Sequence, residues 1–184
     1  MTEIALRDVR ISYPHLFEPF SYQGQGKAKF SAKFLIPKSN TALVKQIADA
    51  MKELAVSSMK DKKLPPADKL CMRDGDQTGR DEDAGYWVLS ASDDARPVVV
   101  DQKRNPLTAE DDVIQPGFWV NAKIRLWAQD NQYGKRINAN LLGVQFVKEG
   151  ERLGSGRVRQ SADEMFDSVE SFDDNGAGEA DPFA

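Results

Sequence analysis

Residues Gly117 to Gln129 read GFWVNAKIRLWAQ, and this stretch decides the fold class. Strict alternation sets Phe118, Val120, Ala122, Ile124, Leu126 and Ala128 on one face of a strand. The opposite face carries Trp119, Asn121, Lys123, Arg125, Trp127 and Gln129. Period-2 patterning over this length is the signature of a half-buried β-strand. The second face is unusual because it interleaves two indoles with two cations. Single-stranded nucleic acid needs that combination, since bases stack on flat rings while phosphates pair with charges. The competing reading is that a helix or loop covers one or both tryptophans and the cations snorkel past them.

Outward from that strand, the chain supplies partners for it. After the turn Asp130-Asn-Gln-Tyr-Gly134, a return strand runs from Lys135 to Lys148, with Gly143 marking a bulge or bend. Tyr86 to Ser92 and Pro97 to Asp101 read as two further strands, the second one short. Near the N-terminus, Glu3 to Tyr13 alternates as a first strand and is expected to break at Tyr13-Pro-His-Leu-Phe-Glu-Pro19, where two prolines remove ladder donors. Lys27 to Ile36 is a second strand, with Phe30, Ala32, Phe34 and Ile36 opposite Lys27, Lys29, Ser31 and Lys33. A lysine face resists edge-to-edge pairing and equally offers a phosphate track. Pro37 ends that strand, and from the N-cap candidates Ser39, Asn40 and Thr41 to about Lys60 the period becomes helical. Leu43, Val44, Ile47, Ala48, Met51, Leu54 and Ala55 form the apolar stripe of a helix that covers a core.

Composition narrows the function classes. The 184 residues include one cysteine, Cys71, and one histidine, His15, too few for a disulfide framework or a conventional zinc site. No apolar run approaches the length of a membrane span, and the first residues do not form a signal peptide. The formal net charge of −4 conceals an asymmetry. The last 25 residues hold eight acids and no base, so the 29 acids less those eight leave 21 against 25 basic groups in residues 1–159. A mildly basic body thus carries a strongly acidic tail. Residues 151–184, rich in serine, glycine and acid, are expected to be a flexible, disordered tail beyond a folded domain of residues 1–150.

These elements predict a mainly β protein with one or more helices, specifically a five-stranded antiparallel OB-like barrel followed by the disordered acidic C-terminal tail. The helix follows the second strand, earlier than its usual place in an OB-fold. Ile11-Ser-Tyr-Pro-His-Leu-Phe-Glu-Pro19, Phe34-Leu-Ile-Pro-Lys38, Arg73-Asp-Gly-Asp76, Gly117-Phe-Trp-Val-Asn-Ala122 and Gly143-Val-Gln-Phe-Val147 occur in that order. In this series the chain resembles a family of bacteriophage single-stranded DNA-binding proteins with an OB-fold core and an acidic C-terminal tail. The resemblance spans about residues 3 to 150. It implies a protein without enzymatic activity or cofactor that coats single strands during phage replication and recombination, in the cytoplasm of an infected bacterium. It also implies single-stranded DNA as partner, with room for a homodimer and none for a membrane. The tail is similar in kind to those of bacterial single-stranded DNA-binding proteins: Asp181, Pro182 and Phe183 match a partner-docking terminus, although Ala184 follows.

On this reading Trp119, Trp127 and Tyr133 are the candidate stacking platforms, each worth about 1–3 kcal/mol per base. Lys27, Lys29, Lys33, Lys123, Arg125, Lys135 and Arg136 are the candidate phosphate contacts. The tail either occupies the basic groove when DNA is absent or recruits replication proteins. The alternative from another class is a metal-dependent nuclease using Asp74, Asp76, Asp81, Glu82 and Asp83. Asp74-Gly-Asp-Gln-Thr-Gly79 opens like a calcium loop, but the position-12 ligand falls on Gly85. A duplex or RNA binder on the same barrel is a third possibility.

Overall fold

The computed structural model describes residues 2–153. The chain runs β1 (Thr2–Phe20), β2 (Lys29–Pro37), α1 (Thr41–Ser58), β3 (Met72–Asp74), β4 (Tyr86–Asp93), β5 (Val98–Val100), β6 (Trp119–Asn131) and β7 (Gly134–Lys148). Hydrogen-bonded neighbours follow the order β3-β4-β2-β1-β6-β7-β5 in one seven-stranded sheet. Its pairs are antiparallel except β5 with β7.

Five of these strands, β1, β2, β4, β6 and β7, wrap into a barrel. β4 returns to lie against β7, yet no ladder joins them among the described residues. A single parallel bridge, Leu70 to Ile137, spans the seam. The expected five-stranded barrel is therefore present, with β3 and β5 added at its margins. Three-residue strands carry too little periodicity to register in a sequence. α1 does follow the second strand, so the early helix is a real feature of this barrel.

The first strand corrects one expectation. β1 does not break at the proline run but continues to Phe20, pairing through Thr2–Arg10 with β6 and through Arg10–Phe20 with β2. Register shifts fall between Ser12 and His15 and between His15 and Phe20. Pro14 and Pro19 sit inside those irregular intervals, where a missing N–H costs no ladder bond. Tyr13 takes up the distortion with φ of 48°, a left-handed conformation that is rare for a bulky residue.

The core follows from the alternation. On β6, Val120, Ala122, Ile124 and Leu126 are buried, and they meet Ile4, Leu6, Val9 and Ile11 of β1 and Phe34 and Ile36 of β2. α1 packs on β1 and β6 through Leu43, Ile47, Ala50, Met51, Leu54 and Ala55. The Asn40 side chain caps this helix by accepting from the Leu43 N–H at 3.3 Å, a contact worth about 1 kcal/mol. Gly143 marks a bulge as its position suggested, for Lys123 and Ile124 pair with Gly143 and Leu141 and skip Leu142. A side chain at Gly143 would also crowd the Val98 carbonyl at 3.1 Å.

A buried cation fixes the far end of the barrel. Arg10 Nε donates to the Gly117 carbonyl at 3.0 Å, Nη1 to the Tyr86 hydroxyl at 3.3 Å, and Nη2 to the Glu151 carbonyl. Its guanidinium also lies over the rings of Tyr86 and Trp119. Leu153 N–H adds a bond to Pro116 O at 3.0 Å. Residues 151–153 are thus fastened to the domain by contacts that only a planar five-donor group supplies at once. The flexible tail was expected to start at residue 151, and its first three residues are instead tied down by these contacts; the rest of it, with Asp181, Pro182 and Phe183, lies outside the described residues.

A candidate nucleic-acid interface

The seam between β4 and β7 opens into a groove of about 480 Å³. Its floor is Ser90–Ser92 of β4 and Arg136–Ala139 of β7, and its walls come from the end of β1, the middle of β2 and the segment around β3. Lys33, Lys69, Arg73, Arg80 and Arg136 line it, and no carboxylate is among its lining residues. Tyr13, His15, Phe20 and Tyr22 supply rings on the β1 side. His15 and Phe20 are already stacked, centroids 4.2 Å apart and planes 5° from parallel. Tyr22 is 72% exposed, which leaves its ring free to meet a ligand.

Tyr13 holds the centre of this arrangement. Lys33 Nζ lies 5.4 Å and the Arg80 guanidinium 5.2 Å from its ring centroid, and its hydroxyl reaches Glu82 at 3.4 Å. Burial is the main reason that the Lys33 ammonium sits below the usual lysine pKa, with repulsion from Arg80 and Arg73 adding to it and attraction to Asp83 and Glu82 opposing. A cation crowded by other cations and partly stripped of water gains when an anion arrives. Cys71 also lines the groove, its thiol pushed up to about 12 by burial, so it is a neutral apolar wall and not a nucleophile. Burial likewise lowers the pKa of His15.

The residues singled out from the sequence divide into three groups. Lys33 and Arg136 line the groove. Lys29 and Trp127 line an adjoining hollow of about 700 Å³ that shares Ser92, Asn138 and Ala139 with it. Lys27 stands beside that hollow, paired with Asp94 at 3.0 Å. The rest lie elsewhere. Lys123 and Arg125 bracket Glu3 at 3.5 and 2.6 Å, and Lys135 pairs with Asp61. Trp119 is half-buried between Arg10 and Lys148, with Gly150 close against its edge. Tyr133 projects from the β6–β7 turn and is 78% exposed.

The sequence reading passed over Tyr13, His15, Phe20, Tyr22, Lys69, Arg73 and Arg80. One signal for the first four was available: five rings, counting Phe17, fall within ten residues from Tyr13 to Tyr22. Three of the carboxylates proposed for a nuclease are held by other side chains. Lys38 Nζ bonds both Asp74, at 2.6 Å, and Asp76, and holds each below the usual carboxylate pKa. Buried Asp83 accepts from the Thr78 hydroxyl at 2.6 Å. Among the described residues no three His, Cys, Asp or Glu side chains converge as a metal site would require, and no helix there is long and apolar enough to cross a membrane.

Known proteins share this chain's pattern over most of its length. The family described as Enterobacter phage Enc34, ssDNA-binding protein, matches residues 2–176. A putative protein p50 from Acyrthosiphon pisum secondary endosymbiont phage 1 is 38% identical over 180 residues, covering 94% of this chain and 93% of its own. Among solved structures, the single-stranded DNA-binding protein from bacteriophage Enc34 in complex with ssDNA aligns with a TM-score of 0.72 at 39% identity, covering 83% of this chain and 89% of that one. A single-stranded DNA binding protein encoded by bacteriophage T7 aligns with a TM-score of 0.59 over 82% of this chain and 93% of its own. At 16% identity it shows a shared fold alone.

Proposed function

The chain belongs to the phage single-stranded DNA-binding family of Enterobacter phage Enc34, and on that premise we propose that it coats single-stranded DNA by laying the strand along the β4–β7 groove. One observation carries the location. The groove gathers five cations and four rings with no lining carboxylate, and four of those cations, Lys33, Arg73, Arg80 and Arg136, have no carboxylate partner among the described residues, whereas the cations of the outer β6 face are both paired with Glu3. Phosphates follow Lys33, Arg73, Arg80 and Arg136, while bases stack on Tyr13, Tyr22 and the His15–Phe20 pair. Stacking tolerates every base, so sequence preference along most of the groove is weak.

The protein acts without catalysis or cofactor, as a stoichiometric cover for strands exposed in replication and recombination inside the infected host. The nuclease alternative gains no support from relatives whose names describe DNA binding. The domain is residues 1–150 with residues 151–153 tied back onto it, and the remainder of residues 151–184 is its acidic appendage, which competes with DNA for the groove and recruits partners through Asp181, Pro182 and Phe183. Affinity for labelled oligo-dT, competed with duplex and RNA and repeated on a chain truncated after Arg159, tests the reading. Single strands should compete best, and truncation should tighten binding most at low salt. Equal competition by duplex would refute the stacking mechanism, and unchanged low-salt affinity would refute the tail's role.

A further inference from the structure

We propose that the hollow next to the groove is a base subsite that reads one nucleotide and prefers a keto base to an amino base. The proposal rests on the groove carrying the strand, because the two share Ser92, Asn138 and Ala139 and a strand leaving one enters the other. Its stacking surface is Trp127, half-buried at the side of the hollow. Lys29, exposed and with no ion pair among the described residues, stands at its mouth for the adjoining phosphate.

The selectivity follows from which polar atoms are already committed. Trp127 Nε1 can only donate, and it donates to Asn140 Oδ1 at 2.8 Å. That bond fixes the Asn140 amide and leaves its Nδ2 hydrogens, which have no other partner among the described residues, for a ligand. Asp93 accepts from the Ala95 N–H and Asp94 from the Lys27 ammonium. One oxygen of each carboxylate is thus engaged, while Asn140 offers a donor that is fixed in place. Gln129 donates to Asn131, and the Asn138 side chain has no partner among the described residues, so both amides can turn to follow a base. Asn140, held by the indole, cannot. A base stacked on Trp127 brings its edge alongside that fixed donor. Thymine O4 accepts from it, whereas the cytosine amino group at the same position sets donor against donor.

Thymine and cytosine differ little in size or stacking, so a scan of oligo-dT with one cytosine at each position isolates the effect in the full-length protein. One position should show a loss of about three- to ten-fold, the equivalent of one hydrogen bond. Asn140→Asp keeps the acceptor for Trp127 Nε1 and replaces the donor with an anionic oxygen, so the thymine preference should vanish or invert. Trp127→Phe keeps an aromatic ring but removes the Nε1 donor and frees the amide to turn, which should relax the preference between thymine and cytosine. A flat scan in the native protein, or a preference that persists in both variants, overturns the proposal. A failure of the groove itself reads differently, as oligo-dT affinity that is insensitive to substitution of Lys33, Arg80 and Arg136.

Discussion

Removing Arg80 and Arg136 together should flatten the salt dependence of DNA binding by a calculable amount. Both are groove cations with no carboxylate partner among the described residues, so each is available to neutralise a phosphate. Each neutralised phosphate on a single strand contributes about −0.7 to the slope of log K against log salt, so Lys33, Arg73, Arg80 and Arg136 together give about −2.8. Raising salt from about 50 to about 200 mM then weakens binding about 50-fold. With Arg80→Gln and Arg136→Gln the slope should fall to about −1.4, and the same salt step should cost only about 7-fold. Fluorescence anisotropy of labelled oligo-dT across that range gives both slopes. A paired control, Lys123→Gln with Arg125→Gln, removes as much charge from the outer β6 face, where Glu3 already holds both cations, and should leave the slope near its native value. Parallel plots for the groove variant and the native chain, with a flattened plot for the control, would refute the groove and place the strand on β6.

Two further predictions concern the scaffold. Burial lowers the pKa of His15, so the folded state disfavours its protonation; stability contributed by the neutral ring is complete above about pH 6.5 and is lost as acid protonates the unfolded chain first. Denaturant titrations at pH 7.5 and 5.5 should show a smaller acid loss for His15→Asn than for the native chain, and equal losses would contradict the assignment. Gly117 has φ of 96°, and a Cβ there would run into the Glu151 carbonyl that Arg10 binds; Gly117→Ala should therefore cost about 1–3 kcal/mol or more in thermal or denaturant unfolding, and an unchanged midpoint would show that residues 151–153 are not anchored there.

How far the sequence spoke depended on how local the signal was. The alternation in Gly117 to Gln129, the 3.6-residue stripe from Leu43 to Ala55 and the bulge at Gly143 are short-range patterns, and each became the element it announced. β1 was misjudged at Pro14 because a proline stops a strand only where its N–H is needed, and the bulges that remove the need form through pairing with β2. The groove was the least legible part. Its cations come from positions 33, 69, 73, 80 and 136 and become neighbours only when β4 closes on β7. Neither Trp119 nor Trp127, the residues that stood out in the sequence, lines the groove. Trp119 is packed between Arg10 and Lys148, and Trp127 reaches only the hollow beside it. Arg10 shows the same limit in reverse, since a charged residue in an alternating strand reads as exposed until the carbonyls that bind it come from residues 117 and 151.

The most direct test of the groove is to ask which residues a strand touches. Photo-crosslinking of an oligonucleotide carrying 5-iododeoxyuridine, followed by mass mapping of the adducts, reports rings in contact with bases. The groove predicts adducts at Tyr13, Phe20 and Tyr22, the rings that line it. Adducts confined to Trp119 and Tyr133, with none between residues 13 and 22, would contradict it.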